Sequence, residues 1–285
     1  MVHLSGKIAI RLALLAAALS GCFGAGASSG ADPQPTVDQL GEIEAEGRRI
    51  ARYLGALARA QDEFETQAPA GASFDRQVIV ESRDGWHAIF VTAADPGLLN
   101  DQPDLVAEAV VNPDTMDIRT FRYVENPRGV QKIAGDHLLA VESALIAGAA
   151  ADGASPPFDA SIFFESGQLF RVYLTGKPAD GMIRFGGDFR LEIERNPIRV
   201  SSIEPLHAET WPVALPAGAA GEPTAHSHLE HDLPTATDVA LVMIWPTLAP
   251  HLVLTPRHIY RIEADGSIAY LGRNEPLDGG AGGAE

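Results

Sequence analysis

His226 and His228 stand one residue apart, and Asp238 follows ten positions after the second. Two imidazoles at i and i+2 point the same way on a β-strand, because side chains alternate with period two there. With one more oxygen or nitrogen from the next turn, they make a three-ligand set with one position left open. That is the arrangement of a catalytic zinc site, in which bound water is acidified towards neutrality. His231 and Asp238 are the nearby candidates for the third ligand. Two histidines and a carboxylate also suit iron or manganese. The competing expectation is an exposed polar loop, since three histidines here lie within six residues, next to Glu230 and Asp232.

The stretch from His226 to Asp238 resembles the signature of the JAB/MPN (JAMM) metalloproteases, a His-x-His at a strand end followed by Ser-x-x-Asp. Thr235 stands in the Ser position and Asp238 in the Asp position. Residues 249–256, 259–263 and 264–266 are similar to the ending of many JAB-like bacterial proteins. The resemblance implies zinc held by His226, His228 and Asp238, with Thr235 stabilising an oxyanion. It implies cleavage of a peptide or isopeptide bond in a peptide or protein substrate. The general base of that family is a Glu on an earlier strand. Asp159 stands where it is expected, and Glu165 ends the same strand. Two departures are visible. Six residues separate His228 from Thr235, one fewer than in the family, and the catalytic Glu has no clear counterpart. A degenerate JAB-like binding or structural protein without activity is therefore the alternative.

The elements that must position these residues belong to an α+β chain. Thr36 and Gln39 have the spacing of a capping box, and Leu40, Ile43, Ile50, Tyr53, Leu54 and Leu57 recur at helical intervals. Strand patterns follow at 77–81 and 86–91 around Asp84 and Gly85, a hairpin signal, then at 105–111 and 116–123. One helix with an antiparallel meander over 36–125 resembles small cystatin-like or PepSY-like modules. Residues 125–131 read as a connection. From 130 to 273 a second helix, ending near Asp152, and strands at 160–164, 169–174, 182–185 and 189–193 give the order expected of a JAB-like domain. Residues 239–245 are ambiguous: the resemblance implies a helix, whereas Val239, Val242, Ile244 and Trp245 favour a strand. His137, His207, His251 and His258 are isolated and read as surface or hydrogen-bonded residues.

At the N-terminus, Lys7 and Arg11 precede an apolar run from Leu12 to Leu19, too short for a permanent membrane helix. Leu19, Ser20, Gly21 and Cys22 then resemble the lipobox of bacterial lipoproteins. The expectation is a signal peptide over 1–21, a lipidated Cys22 that anchors the chain to the membrane, and a Gly/Ala/Ser/Pro-rich tether over 22–35. Phe23 rather than Asp after the cysteine points to the outer membrane, on its periplasmic side. Cys22 is the sole cysteine, so no intramolecular disulfide can form. A formal net charge of −17 argues against a nucleic-acid partner. No Gly-x-Ser-x-Gly elbow, P-loop or dinucleotide fingerprint is present. The 274–285 tail is Gly-rich and expected to fray.

Overall fold

The computed structural model describes residues 34–92, 103–152, 158–165, 168–179, 181–207, 209–215 and 223–274. The expected signal peptide, Cys22 and most of the tether and tail lie outside the described residues. The described chain is mixed α+β, with three helices and several largely antiparallel sheets.

Helix α1 (Val37–Gln67) opens on the capping box read from the sequence: Thr36 Oγ1 accepts from Gln39 N at 3.1 Å, and Gln39 Oε1 accepts from Thr36 N at 2.9 Å. Its buried stripe, Ile50, Tyr53, Ala56, Ala60 and Phe64, keeps to one face because the spacing matches the helical period. That face covers an antiparallel sheet ordered β1 (Arg76–Ser82), β2 (Gly85–Val91), β3 (Asp104–Val111) and β4 (Ile118–Gly129). β4 runs through the segment expected to be a connection. Burial fixes the meander beneath α1; Ile79 N even donates to the buried Tyr53 hydroxyl at 3.0 Å.

Helix α2 (Lys132–Asp152) is long and apolar enough to cross a membrane by length and composition alone. In the fold it buries Ala134, Leu138, Ala140 and Ala144 in the core. It lies against a second antiparallel sheet built from β5 (Phe158–Glu165), β6 (Leu169–Gly176), β8 (Phe189–Arg195) and β9 (Ile198–Pro205), in that order. Between β6 and β8 the chain makes β7 (Met182–Phe185), which pairs with β10 (Trp211–Ala214). One buried cluster is continuous through α1, the first sheet, α2 and the second sheet, so the core crosses the 125–130 boundary marked on the sequence.

The last third holds β11 (Thr224–Ser227), α3 (Ala236–Ile244), a 3-10 turn at Pro246–Leu248, then β12 (His251–Leu254), β13 (His258–Ile262) and β14 (Ile268–Arg273). β11 pairs parallel to β12, and the other pairs of this sheet are antiparallel. The ambiguous 239–245 segment is helical through Ile244. Its β-branched content reflects burial on all sides: Val239, Leu241 and Val242 face a second apolar cluster, while Ala240 faces the first. A capping box starts it, Thr235 Oγ1 accepting from Asp238 N at 3.2 Å and Asp238 Oδ2 from Thr235 N at 2.7 Å. α1 approaches so closely that a Cβ on Gly47 would sit 2.5 Å from Val239 Cβ. Only glycine permits that crossing, which fixes the height of α3 and hence of Asp238.

Candidate metal centre

Four side chains from three separate parts of the chain converge. His226 closes β11, His228 follows just beyond it with its N–H on Leu254 O at 2.8 Å, and Asp238 sits in the first turn of α3. The fourth is His207, from the segment after β9. One ligand atom from each lies within 4.8 Å of all the others, and all four residues are buried. Nε2 of His228 is 2.8 Å from Nε2 of His207 and 2.9 Å from Nε2 of His226. Asp238 Oδ1 lies 3.1 Å from His207 Nε2 and 3.2 Å from His226 Nε2, and Oδ2 lies 3.1 Å from His228 Nε2.

The outer partners of the imidazoles assign where their protons sit. His228 Nδ1 is 2.9 Å from Leu233 O, an acceptor only, so Nδ1 donates and Nε2 is bare. His207 Nδ1 is 2.5 Å from Asp188 Oδ1, with the same consequence. Thr224 donates its hydroxyl to Leu248 O at 2.6 Å, so Thr224 Oγ1 must accept from His251 Nδ1, also at 2.6 Å. His251 Nε2 is then bare and accepts from His226 Nδ1 at 2.7 Å, which leaves His226 Nε2 bare as well. With all three rings neutral, therefore, three lone pairs and a carboxylate face one point. Asp238 Oδ1 is fully buried, and the polar groups facing it are the Nε2 atoms of His207 and His226. A buried group of this kind is balanced by a proton or by a cation, and it could hold a metal ion.

The electrostatics agree. Burial by itself would raise the Asp238 pKa, yet His207, His226 and His228 hold it well below the ordinary carboxylate range. Burial would lower His207, but Asp188 and Asp238 hold it up, at about 11, so a proton occupies the cluster when no ion does. Burial pushes His226 down despite Asp238, and pushes His251 well down.

Supporting residues hold the rings in place. Phe185 stacks on His226 and His251 with ring centroids 4.6 and 4.2 Å away. Asp188 takes a second hydrogen bond from Thr237 in α3, tying His207 to the helix that carries Asp238. Asp188 reaches this position through the Gly186–Gly187 turn. Gly186 has φ +86°, and a Cβ there would lie 1.9 Å from Glu209 O.

Other residues singled out on the sequence are engaged elsewhere. Asp159 pairs with Lys177 at 3.3 Å, and Glu165 pairs with Arg49 at 2.9 Å beside Arg171. Neither carboxylate belongs to the converging group, because β5 directs each towards a cation of its own surroundings. The Thr235 hydroxyl is occupied as the cap of α3 and by Thr237 at 2.8 Å. His231 is exposed and not in the group. His137 Nδ1 donates to its own helix, on Ile133 O at 2.7 Å. His207 and His251, read as ordinary histidines, are a member of the cluster and its direct support. Neither carries a local signal, since His207 stands alone and meets His228 across 21 positions. The only hint in the sequence near Asp188 was the Gly pair before it.

No family model matches this chain, and no curated protein and no solved structure is significantly similar to it.

Proposed function

We propose that this is an envelope lipoprotein whose C-terminal half folds around a closed zinc centre, with the ion acting as a structural tie rather than as a hydrolytic centre. The observation that supports it is the set of four acceptors, His207, His226, His228 and Asp238, aimed at one point. A tetrahedral zinc with bonds of about 2.0 Å has ligand atoms about 3.3 Å apart. Five separations between these side chains, 2.8–3.2 Å with Asp238 facing His207 and His226 through Oδ1 and His228 through Oδ2, lie just inside that value. Bound there, zinc would tie β11, α3 and the chain after β9 into one unit. Four protein ligands leave no position for water, which is the pattern of structural sites. The JAB-like hydrolase reading, carried by His226, His228 and Asp238, needs an open position and a base. His207 stands in the fourth position, and Asp159 and Glu165 are paired elsewhere.

The test is metal analysis of the full-length chain purified in detergent. One zinc per chain is expected, with chelation lowering the melting temperature by about 10 °C or more, as for loss of a tightly bound ligand. Zinc well below stoichiometry, or melting indifferent to chelation, would count against the reading. Lipidation is tested by metabolic labelling with palmitate, which Cys22→Ser should abolish.

A further inference from the structure

Three polar side chains that the centre does not use surround its approach. His207 and His228 form the inner wall of a cavity of about 10 Å³, room for one water-sized body. Its outer wall carries Glu209, Glu230 and His231, all exposed, and none of them has an ion pair or side-chain hydrogen bond among the described residues. His231 also lines a second cavity of about 350 Å³ beside α1, whose polar lining includes Glu42, Glu46 and Glu204 against the guanidinium of Arg190. His231 lines both cavities. Among the described residues, the other sides of the cluster are covered. Phe185 and His251 cover His226, the first turn of α3 carries Asp238, and Leu233 O caps the outer nitrogen of His228.

We propose that these neighbouring cavities are the loading route of the centre, the larger one a vestibule for a hydrated divalent cation and the smaller one the step to the ligands. Glu209, Glu230 and His231 replace part of the water shell before the ion passes to His207 and His228. The inference rests on the metal-centre reading and adds how the ion arrives. The ligand side chains are at most 2% exposed, so an ion must lose its water to reach them. Oxygen and imidazole donors offered at the mouth spread that cost over two steps. A cleft lined by excess carboxylates on a chain of net charge −17 concentrates cations at its entrance. More than an acidic patch is involved, because the inner wall is made of two of the converging imidazoles. Behind them Asp238 Oδ1 faces the Nε2 of His207 at 3.1 Å.

The experiment strips the full-length protein with a chelator and follows Co²⁺ uptake by its visible absorbance in stopped flow. In a variant combining Glu209→Gln, Glu230→Gln and His231→Ala, uptake should slow about tenfold or more and lose most of its salt dependence. Final cobalt content and spectrum should match the parent, since the four ligands are intact and the altered groups are exposed. Removing equal carboxylate charge in the β3–β4 turn, with Asp114→Asn and Asp117→Asn, should leave the rate within about twofold. Parent-like uptake by the triple variant, or equal slowing by the turn variant, would overturn the loading route while the centre stands. Failure of the parent to take up cobalt at all would overturn both.

Discussion

His226 Nδ1 and His251 Nε2 face each other at 2.7 Å inside the protein, and the Phe185 ring lies flat against both imidazoles. His251 does not reach the converging point. It receives the outer proton of a ring that does, and passes its own to Thr224, which donates to Leu248 O.

The arrangement predicts unequal effects of two substitutions. His251→Gln can still offer a carbonyl to His226 Nδ1 and should retain most of the metal affinity. His251→Leu leaves that N–H buried and unsatisfied, and should weaken affinity by about 10–100-fold. Competition titration against a chromophoric chelator measures both. Equal affinities for the two variants would mean that the ring is held by packing on Phe185 alone.

His207 decides between a closed and an open centre. With four protein ligands, His207→Ala should lose zinc about as completely as His228→Ala. Asp238→Ala should lose the metal and also destabilise the fold by about 3–5 kcal/mol, because it strips a buried counter-charge and half of the α3 cap. Metal analysis and urea denaturation read the two effects. Stoichiometric zinc in His207→Ala would instead favour the three-ligand reading.

The metal-free protein should lose stability as pH falls below about 6.5. In the unfolded chain His226 and His251 titrate near their ordinary value of 6.5, whereas burial holds both lower in the folded state. Below 6.5 the unfolded chain takes up protons that the folded one refuses, so stability present above that pH is lost. His207 has the opposite sign. Its contribution is complete below 6.5 and fades as pH rises towards about 11, so it adds no slope on the acid side. Melting temperatures of chelated protein should therefore drop between pH 6.5 and 5, and a flat or rising profile over that range would contradict the assignment. Zinc affinity should fall over the same range, because the ion must displace the proton on His207.

Gly47→Ala tests whether the α1–α3 crossing sets the centre. The added methyl would meet Val239 Cβ at 2.5 Å and Ala236 O at 2.8 Å, so one helix must move. A loss of about 1–3 kcal/mol is expected, with weaker metal binding as Asp238 is displaced. Gly55→Ala in the same helix, where a Cβ would meet nothing within 4 Å, is the control and should be neutral or slightly stabilising. Equal denaturation midpoints for the two variants would show that the helices adjust freely.

Short-range patterns were legible in the sequence because they obey local rules. The Thr36 cap, the α1 stripe, the Asp84–Gly85 hairpin and the strand alternation of the first two sheets depend on neighbours within a few residues. The His226/His228 pair was legible for the same reason, since a period of two puts both rings on one side of a strand end. Composition misled at 239–245, where β-branched residues serve a helix that is buried all round. What the sequence could not decide was which distant groups complete the cluster. His207 and Asp188 arrive by way of β8, β9 and the Gly186–Gly187 turn, and His251 through the parallel pairing of β11 with β12. Ligands meet in space along directions set by packing, and only the tertiary structure aligns their lone pairs on one point.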